Sequence, residues 1–527
     1  MRILGVATLV IFFVVAVEIS AEGQSELPSP VIGTIEVVAN EVFDEPSGGF
    51  AAFYRAANKI HISTRERIIR RELLFATGDL VDAERLEQTE RNLRALSFLR
   101  DARVEAVPVD SDGDGQTERV DVRVVTWDTW SLTPRIDVEQ VDGRTIWEAG
   151  VSENNLLGLG KSVAAWHRTD LDRTTDRVLY RDPQLAGSRF SLTASLADLS
   201  DGDEEYFSLT RPYFSLEDTW AFSVGAGAFS RRDPLFEDGR EIDRLRHRGQ
   251  WGDLEFGRSV RRRPTSALRF HVAYRTREER IGSDTRDFGI VEVGIRSVEH
   301  RFTRLTHVNR FEVTEDFNLG AQSYGTVGLS TPALGGGEGR VTSAAAGHSR
   351  GVAFGPGHFL VADMAVVGRH EGRWVNALTL GRARYLRKHA TRHLLIGRAE
   401  FRWGHNLDPE VQLLLGAESG LRGYPTRQFA GTRSLLVSAE ERWFVADDVG
   451  QVLSLGVAAF VDSGFVWPEG ESLSLSDLKT AVGIGLLVGS NRLSLVGDGV
   501  RLDVGYAVTS VSNVSRWVFN FGSDIEF

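Results

Sequence analysis

Residues 127–527 alternate apolar and polar positions in strand-length segments separated by clusters of Gly, Asp, Asn and Pro, as in KSVAAWHRTD, HLLIGRAEFRW and VLSLGVAAFVDSG. Because successive side chains of a strand face opposite sides of its sheet, this pattern predicts antiparallel strands with one apolar face. About 400 residues, at about 25 for each strand and its connection, predict an all-β transmembrane barrel of about 16 antiparallel strands. A soluble β-sandwich or β-propeller is the alternative that fits the same alternation.

Residues 31–126 carry a different pattern, which predicts an α+β domain of order β-α-α-β-β. The segment VIGTIEVVAN predicts the first strand, and ARVEAVPV and ERVDVRVVT predict the last two. A first helix is expected in STRERIIRRELLFATGD, because Ser63 and Glu66 have capping-box spacing and Gly78 supplies a stop. A second helix is expected from about Asp82, with leucines on one face.

The first residues have the features of a secretory signal peptide. Arg2 precedes an apolar run over residues 3–17, and small residues follow as far as Ala21. We therefore expect a signal peptide over residues 1–21, a linker over residues 22–30 and export from the cytoplasm. No later segment has about 18 uninterrupted apolar residues, so location in a membrane would require a β-barrel.

Composition narrows the chemistry that this chain can perform. It has 73 acidic and 61 basic residues, whereas a nucleic-acid-binding protein would carry a strong basic excess. Cysteine is absent, which excludes disulfides and thiolate chemistry. The glycine-rich segment ALGGGEG is not followed by a helix pattern, so it does not predict a phosphate site. We expect no cofactor and no nucleic-acid partner.

An acidic turn, DSDGDGQTE, lies between the last two strands of the α+β domain. Asp110, Asp112 and Asp114 have the spacing that opens an EF-hand calcium loop. A hairpin turn rich in Asp and Gly explains the same residues without a metal ion. The turn is thus a weak calcium candidate, and no other metal site is expected.

One segment resembles a catalytic motif. GHSRG places Ser349 in the G-x-S-x-G pattern of a nucleophile elbow, which requires a strand, a sharp turn and a helix. The following residues, VAFGPGHFLVADMAV, indicate a turn and a strand instead. A surface lipase or esterase is therefore the less favoured hypothesis, and we expect the protein not to be an enzyme.

The segment GLRGYPTRQFAG, residues 420–431, places an arginine among residues that bend a loop. An arginine inside a barrel is costly unless a carboxylate satisfies its donors. Asp462 is a suitable partner, because it lies on a predicted strand where Val461 can face lipid while Asp462 faces the interior. The alternative is that Arg422 is an exposed loop residue without a partner.

The last segment, WVFNFGSDIEF, predicts a final strand with apolar residues toward lipid. Asn520, Gly522, Ile525 and Phe527 form a pattern that ends on an aromatic residue. This pattern resembles the signal by which outer-membrane barrels are recognised by the assembly machinery of Gram-negative bacteria. The resemblance implies that the protein is itself a client of that machinery.

With these motifs the chain resembles the BamA and TamA superfamily of outer-membrane assembly and translocation factors, also called bacterial surface antigens. The most specific matches are LRGY, FVDSG and the terminal strand, and GVSENNLLGLGKS resembles the start of the family's barrel. The resemblance implies a periplasmic POTRA-like domain over residues 31–126 and a 16-stranded barrel over residues 127–527. Members of the BamA type carry several POTRA domains, whereas this chain has room for one.

The resemblance also implies a functional site. In the family, an Arg-Gly-Phe/Tyr loop tip folds into the barrel, and its arginine meets the acidic residue of a Phe-x-Asp-x-Gly strand. The corresponding residues of this chain are Arg422, Gly423 and Tyr424, with Phe460, Asp462 and Gly464. Glu440 and Arg442 resemble the family's Glu-x-Arg pair on the strand after the loop. Five strands are expected after the loop.

The function implied is assembly, insertion or translocation of proteins at the bacterial outer membrane, with the N-terminal domain in the periplasm. The POTRA-like domain would capture unfolded outer-membrane or secreted clients by adding their strands to an exposed sheet edge. Outer-membrane lipids and periplasmic or lipoprotein subunits are the other expected partners. The alternative is a passive channel or secretion pore with a periplasmic anchor.

Overall fold

The computed structural model describes residues 30–43, 51–109, 119–141, 144–492 and 499–522. The expected signal peptide lies outside these ranges, as do the acidic turn with Asp110, Asp112 and Asp114 and the terminal residues Ile525 and Phe527. Their predicted roles remain predictions. None of the helices in the described ranges is long and apolar enough to span a membrane.

The described residues of the N-terminal unit form an α+β arrangement of three strands and three helices. Its elements are β1 Val31–Asn40, α1 Ala51–Ile60, α2 Glu66–Glu72, α3 Ala83–Arg94, β2 Leu99–Val109 and β3 Arg119–Asp128. The sheet has the order β1-β3-β2, with β1 parallel and β2 antiparallel to β3. Val122 and Val124 of the central strand are buried against Ile69 and Leu93 of the helices. Helix α3 begins as predicted, because the Asp82 carboxylate accepts hydrogen bonds from the first-turn amides.

Two details of this unit differ from the sequence prediction. Helix α1 was not predicted, so the described order is β-α-α-α-β-β. The predicted capping box is wrong, since α2 begins after Arg65 and has no side-chain cap. Glu66 instead pairs with Arg70 one turn later, at 2.6 Å. A longer-range contact fixes the start of this helix, where the Thr64 amide donates to the Asp128 carboxylate of β3 at 2.7 Å.

The rest of the described chain forms one antiparallel sheet of twenty strands in closed-barrel order, with two small accessory hairpins. Before the loop that carries Arg422, the barrel strands are β4 Leu132–Val141, β5 Arg144–Glu153, β6 Ser162–Thr169, β7 Thr174–Asp182, β8 Ser191–Leu199, β9 Gly202–Arg211, β10 Trp220–Glu237, β11 Arg240–Arg263, β12 Ser266–Ile281, β13 Asp284–Glu299, β16 Gln322–Ser330, β17 Val341–Gly355, β18 His358–His370, β19 Trp374–Ala390 and β20 His393–His405. The five after it are β23 Arg433–Val449, β24 Leu453–Trp467, β25 Lys479–Gly489, β26 Val500–Ala507 and β27 Trp517–Gly522. The accessory strands are β14 Phe302–Leu305 with β15 Glu315–Asn318, and β21 Leu413–Leu415 with β22 Phe429–Gly431.

The twenty strands exceed the predicted number of about 16. The prediction allotted too many residues to each connection, because many hairpins close through two residues. Asp238 and Gly239 join β10 to β11 with φ values of 48° and 74°, the backbone that tight hairpin turns require. The sheet order places the last strand, β27, next to the first, β4. The five strands after the loop agree with the expected number.

Burial alternates along the late barrel strands, so one face points inward and the other outward. On β23, the residues at even positions from Ser434 to Phe444 are buried. The outward face is apolar and exposed, as at Val461 and Ile484, which have 41% and 66% of the residue surface accessible. A continuous exposed apolar wall is typical of a barrel surrounded by lipid.

Residues 300–321, which connect β13 to β16, fold against the interior of the barrel, and we call them the inner hairpin. They contain β14 and β15. Val308, Phe311 and Leu319 are buried against inward-facing residues that include Phe444 and Leu487. The alternating pattern of residues 127–527 did not predict this segment as a separate element.

The N-terminal unit packs on the barrel end that carries the inner hairpin. Arg94 of α3 donates two hydrogen bonds of 2.8 Å to Asp316 of the inner hairpin. Arg492, which follows β25, donates to the Val42 carbonyl at 2.9 Å and to Asp448 at 2.8 Å. Charged contacts therefore connect the unit both to the barrel turns and to the hairpin inside.

Candidate functional site

The loop between β20 and β23, residues 406–432, returns into the barrel and brings its tip against the last strands. Gly420 precedes the tip and has a φ of 100°, a conformation that favours glycine. Leu421 and Tyr424 are fully buried, and they pack with Leu436, Ala481 and other inward-facing residues. The tip is thus an integral part of the barrel interior.

Arg422 lies at the tip with only 4% of its surface exposed. Its Nε and Nη2 atoms donate to the two oxygens of Asp462 at 2.9 and 2.7 Å, and its backbone amide donates to the same carboxylate at 3.2 Å. The guanidinium lies 3.5 Å from the ring centre of Phe460. Its Nη1 atom donates to Glu440. A forked ion pair with a stacked ring satisfies a guanidinium removed from water.

Position 423 requires glycine because strands β25 and β26 lie too close to the loop tip for a side chain. A Cβ atom at this position would lie 2.3 Å from the Cβ of Ala481 and 3.2 Å from the backbone of Tyr506. Gly505 is equally constrained, since its Cβ would lie 2.5 Å from the Arg422 carbonyl. The loop tip and strand β26 therefore touch backbone to backbone.

Tyr424 anchors the loop tip through contacts of both its hydroxyl and its ring. Its hydroxyl donates to the Thr509 carbonyl at 2.6 Å and lies 3.1 Å from the Thr480 carbonyl. Its ring meets Phe429 edge-on at 5.5 Å. Gly464, the last residue of the FVDSG motif, leaves room for the loop, because a Cβ there would lie 3.2 Å from the Leu415 side chain.

Glu440 is the centre of the charged cluster, and 1% of its surface is exposed. Arg442 donates to it from the same strand at 2.6 Å. Arg501 donates to both of its oxygens, at 2.9 and 2.8 Å, and also pairs with Asp503 at 2.7 Å. The cluster thus contains three guanidinium groups and three carboxylates, which balance in charge.

Sequence reasoning missed Arg501 and Asp503. They are two residues apart on β26, so both face inward, and a charged Arg-x-Asp pair inside a strand is the signal that could have identified them. Gly485 of β25 leaves space for this pair, since a Cβ there would lie 2.2 Å from an Asp503 oxygen. Arg442 extends the cluster to the inner hairpin by donating to the Val308 carbonyl at 2.8 Å.

Of the other residues singled out in the sequence, two lie on the final strand and one lies on β17. The Asn520 side chain of β27 donates to the Arg422 carbonyl at 3.1 Å, which connects the final strand to the loop tip. Gly522 is paired with Arg501 in the sheet. Ser349 lies within the continuous strand β17, so the strand-turn-helix geometry of a nucleophile elbow is not formed there.

The described geometry suits anchoring better than acid–base chemistry. Each carboxylate of the cluster accepts hydrogen bonds from an arginine, and burial makes the separation of such pairs costly. Arg422 contacts residues of β23, β24 and β27. The cluster therefore holds one loop to most of the strands that follow it in the chain.

No protein-family model matches the chain. It is 29% identical over 148 residues to the outer membrane protein assembly factor BamA of Neisseria meningitidis serogroup B, a match that covers 26% of this chain and 17% of that protein. The crystal structure of BamA from Haemophilus ducreyi lacking POTRA domains 1–3 aligns with a TM-score of 0.40 and 11% identity, covering 93% of this chain and 84% of that one. CdiB from Acinetobacter baumannii aligns with a TM-score of 0.47 and 12% identity, covering 94% and 73%.

The match to a curated BamA confirms the family resemblance that the sequence motifs indicated. The match spans less than a fifth of that relative's length.

Proposed function

We propose that this chain, an outer-membrane β-barrel that resembles the BamA-type superfamily, assembles or translocates client proteins and is not an enzyme. The observation that carries the proposal is the anchored loop tip, in which Arg422 joins Asp462 and Glu440 inside the barrel. The similarity to a curated outer-membrane assembly factor supports the same function.

In this proposal the N-terminal unit is a periplasmic, POTRA-like domain that receives clients. Its sheet has β1 and β2 at its edges, and residues 105–108 of β2 are exposed. Extended client segments would add to such an edge through main-chain hydrogen bonds, with little dependence on client sequence. A groove of about 490 Å³ between β2 and the inner hairpin, lined by Arg103, Glu105 and Arg304, lies beside this edge.

The barrel would deliver the client at the seam between its first and last strands. β4 and β27 are neighbours in the sheet order, and β27 is also the strand whose Asn520 contacts the loop tip. The state of the loop is therefore coupled physically to the strand at the seam. Outer-membrane lipids would receive inserted clients, and lipoprotein subunits are further candidate partners.

A passive channel or secretion pore remains the second candidate. The loop tip and the inner hairpin both pack in the barrel interior. This packing argues against a permanently open channel. A pore that opens only with a client fits the same packing.

The experiment that tests the proposal is depletion of the protein followed by comparative outer-membrane and secreted proteomics. Complementation with the wild type, with Arg422→Ala and with Arg373→Ala supplies the comparison. Arg373 is an exposed turn residue and serves as the matched control. We expect loss of a set of client proteins, restored by the wild type and by Arg373→Ala. Unchanged profiles on depletion, together with ion conductance by the purified wild-type protein in planar bilayers, would leave the channel as the better function.

A further inference from the structure

Three side chains with metal-ligating atoms converge on the outer face of the barrel, near the end that carries the N-terminal unit. His389 lies at the end of β19, His393 is the first residue of β20, and Glu441 lies on β23. Glu441 alternates with the inward-facing Glu440 and Arg442, so it points away from the charged cluster. This group is separate from the loop-tip site and independent of the proposed function.

The spacing of the three side chains suits a metal ion. One ligand atom from each residue can be chosen so that all three lie within 4.8 Å of one another. Nε2 of His389 lies 3.2 Å from Oε1 of Glu441. Tetrahedral zinc with bonds of 2.0–2.1 Å places its ligand atoms about 3.3 Å apart, so this pair already has the required separation. The His389 and His393 rings are 5.7 Å apart.

A second observation concerns the acceptor. Oε1 of Glu441 is buried and accepts no hydrogen bond from the described residues, although His389 is close. A buried carboxylate oxygen without a hydrogen-bond partner is costly, and a bound cation would satisfy it. The nearby cation Arg392 is engaged elsewhere, with Asp447 at 2.7 Å.

We propose that His389, His393 and Glu441 bind one divalent transition-metal ion, of which Zn²⁺ fits best. Two imidazoles and one carboxylate are ligands that zinc accepts, and they leave a fourth position for water. Calcium and magnesium prefer oxygen ligands and are disfavoured by the two histidines. The ion would clamp the turn between β19 and β20 to β23, the strand that holds Glu440 and Arg442 on its other face.

The test measures Zn²⁺ binding to the full-length, untagged protein in detergent after chelator treatment. Isothermal titration and competition with a zinc-sensitive dye give stoichiometry and affinity, and Co²⁺ substitution reports the coordination geometry by its visible absorption. We expect one tight equivalent in the wild type and at least a tenfold weaker affinity in His393→Ala and in Glu441→Gln. Retained heat-modifiable migration on a gel would show that the variants are folded.

His405→Ala is the matched control. His405 forms an exposed pair with Glu469 at the other end of the barrel strands, and no third ligand joins it in the described residues. The His405→Ala protein should bind Zn²⁺ with the affinity of the wild type. The chain has 12 histidines and no cysteine, so binding elsewhere is a concrete alternative. Equal binding by the triple variant His389→Ala, His393→Ala, Glu441→Gln, or no stoichiometric binding by the wild type, would overturn the proposal.

Discussion

Arg422 and Asp462 are 40 residues apart, and three hydrogen bonds from the backbone and side chain of the first converge on the carboxylate of the second. The pair is fully enclosed, with Asp462 showing no exposed surface. Such a contact specifies one position of the loop, because a small displacement would break all three bonds together. The pair also makes the loop sensitive to changes on β24.

Removal of either partner should release the loop while the barrel still folds. Arg422→Ala leaves Asp462 and Glu440 buried without their shared cation, a change that costs about 3–5 kcal/mol for a buried pair. We expect Arg422→Ala, Asp462→Ala and the double variant to impair client assembly to a similar degree. Chemical unfolding and client proteomics on all four proteins form a double-mutant cycle, and additive effects would argue against the pair.

Gly423→Ala should displace the tip through overpacking. The new methyl group would lie 2.3 Å from the Cβ of Ala481, and forced insertion of a methyl group typically costs about 1–3 kcal/mol. Ala481→Gly removes the closest atom and should restore part of the lost stability and activity. Limited proteolysis of the loop provides the measurement. If the loop of the Gly423→Ala protein resisted proteolysis as well as that of the wild type, the residues around Ala481 would accommodate the methyl group without displacement of the tip.

Phe311→Ala should loosen the inner hairpin. Phe311 is buried in the cluster that contains Phe444 and Leu487, and truncation of a buried phenylalanine costs about 3–5 kcal/mol. We expect more frequent and larger conductance steps in planar bilayers, because the hairpin packs inside the barrel. Phe354→Ala is the control, since Phe354 is 57% exposed on β17. Identical conductance in the two variants would contradict a closing role for the hairpin.

His300, the first residue of the inner hairpin, should lower the free energy of unfolding of the protein in acid. Burial, together with Arg91 and Arg269, lowers the pKa of His300 from 6.5 to about 4. The unfolded chain therefore takes up a proton before the folded protein does, and stability present above pH 6.5 is lost as the pH falls toward 4. His300→Gln should show a smaller loss of unfolding free energy between pH 7.5 and pH 5 than the wild type. Equal losses would exclude His300 as the titrating group.

Sequence patterns predicted the strands and helices that depend mainly on residues close to one another in the chain. Alternating polarity identified the β-rich region, and the Asp82 cap identified the start of α3. The capping box at Ser63 failed because a tertiary contact replaces it, the hydrogen bond from the Thr64 amide to Asp128. The strand number was underestimated because average connection lengths do not apply to two-residue hairpins.

The candidate site was predictable to the extent that motif residues mark it. Arg422, Glu440 and Asp462 were identified and lie together in the structure. The Arg-x-Asp spacing of Arg501 and Asp503 marks a charged pair on one face of a strand, but their contact with Glu440 depends on how the barrel brings distant strands together. The contact between Arg442 and the inner hairpin is equally non-local, since 134 residues separate its partners.

The hydrogen bond from Asn520 to the Arg422 carbonyl has a consequence for the order of folding. Every partner of the Arg422 guanidinium and carbonyl named above, Glu440, Asp462 and Asn520, follows it in the chain. The charge of Arg422 can be buried at acceptable cost only when Glu440 on β23 and Asp462 on β24 are in place. The contact between its carbonyl and Asn520 also requires the final strand. A fully docked tip is therefore a structural marker of a completed barrel.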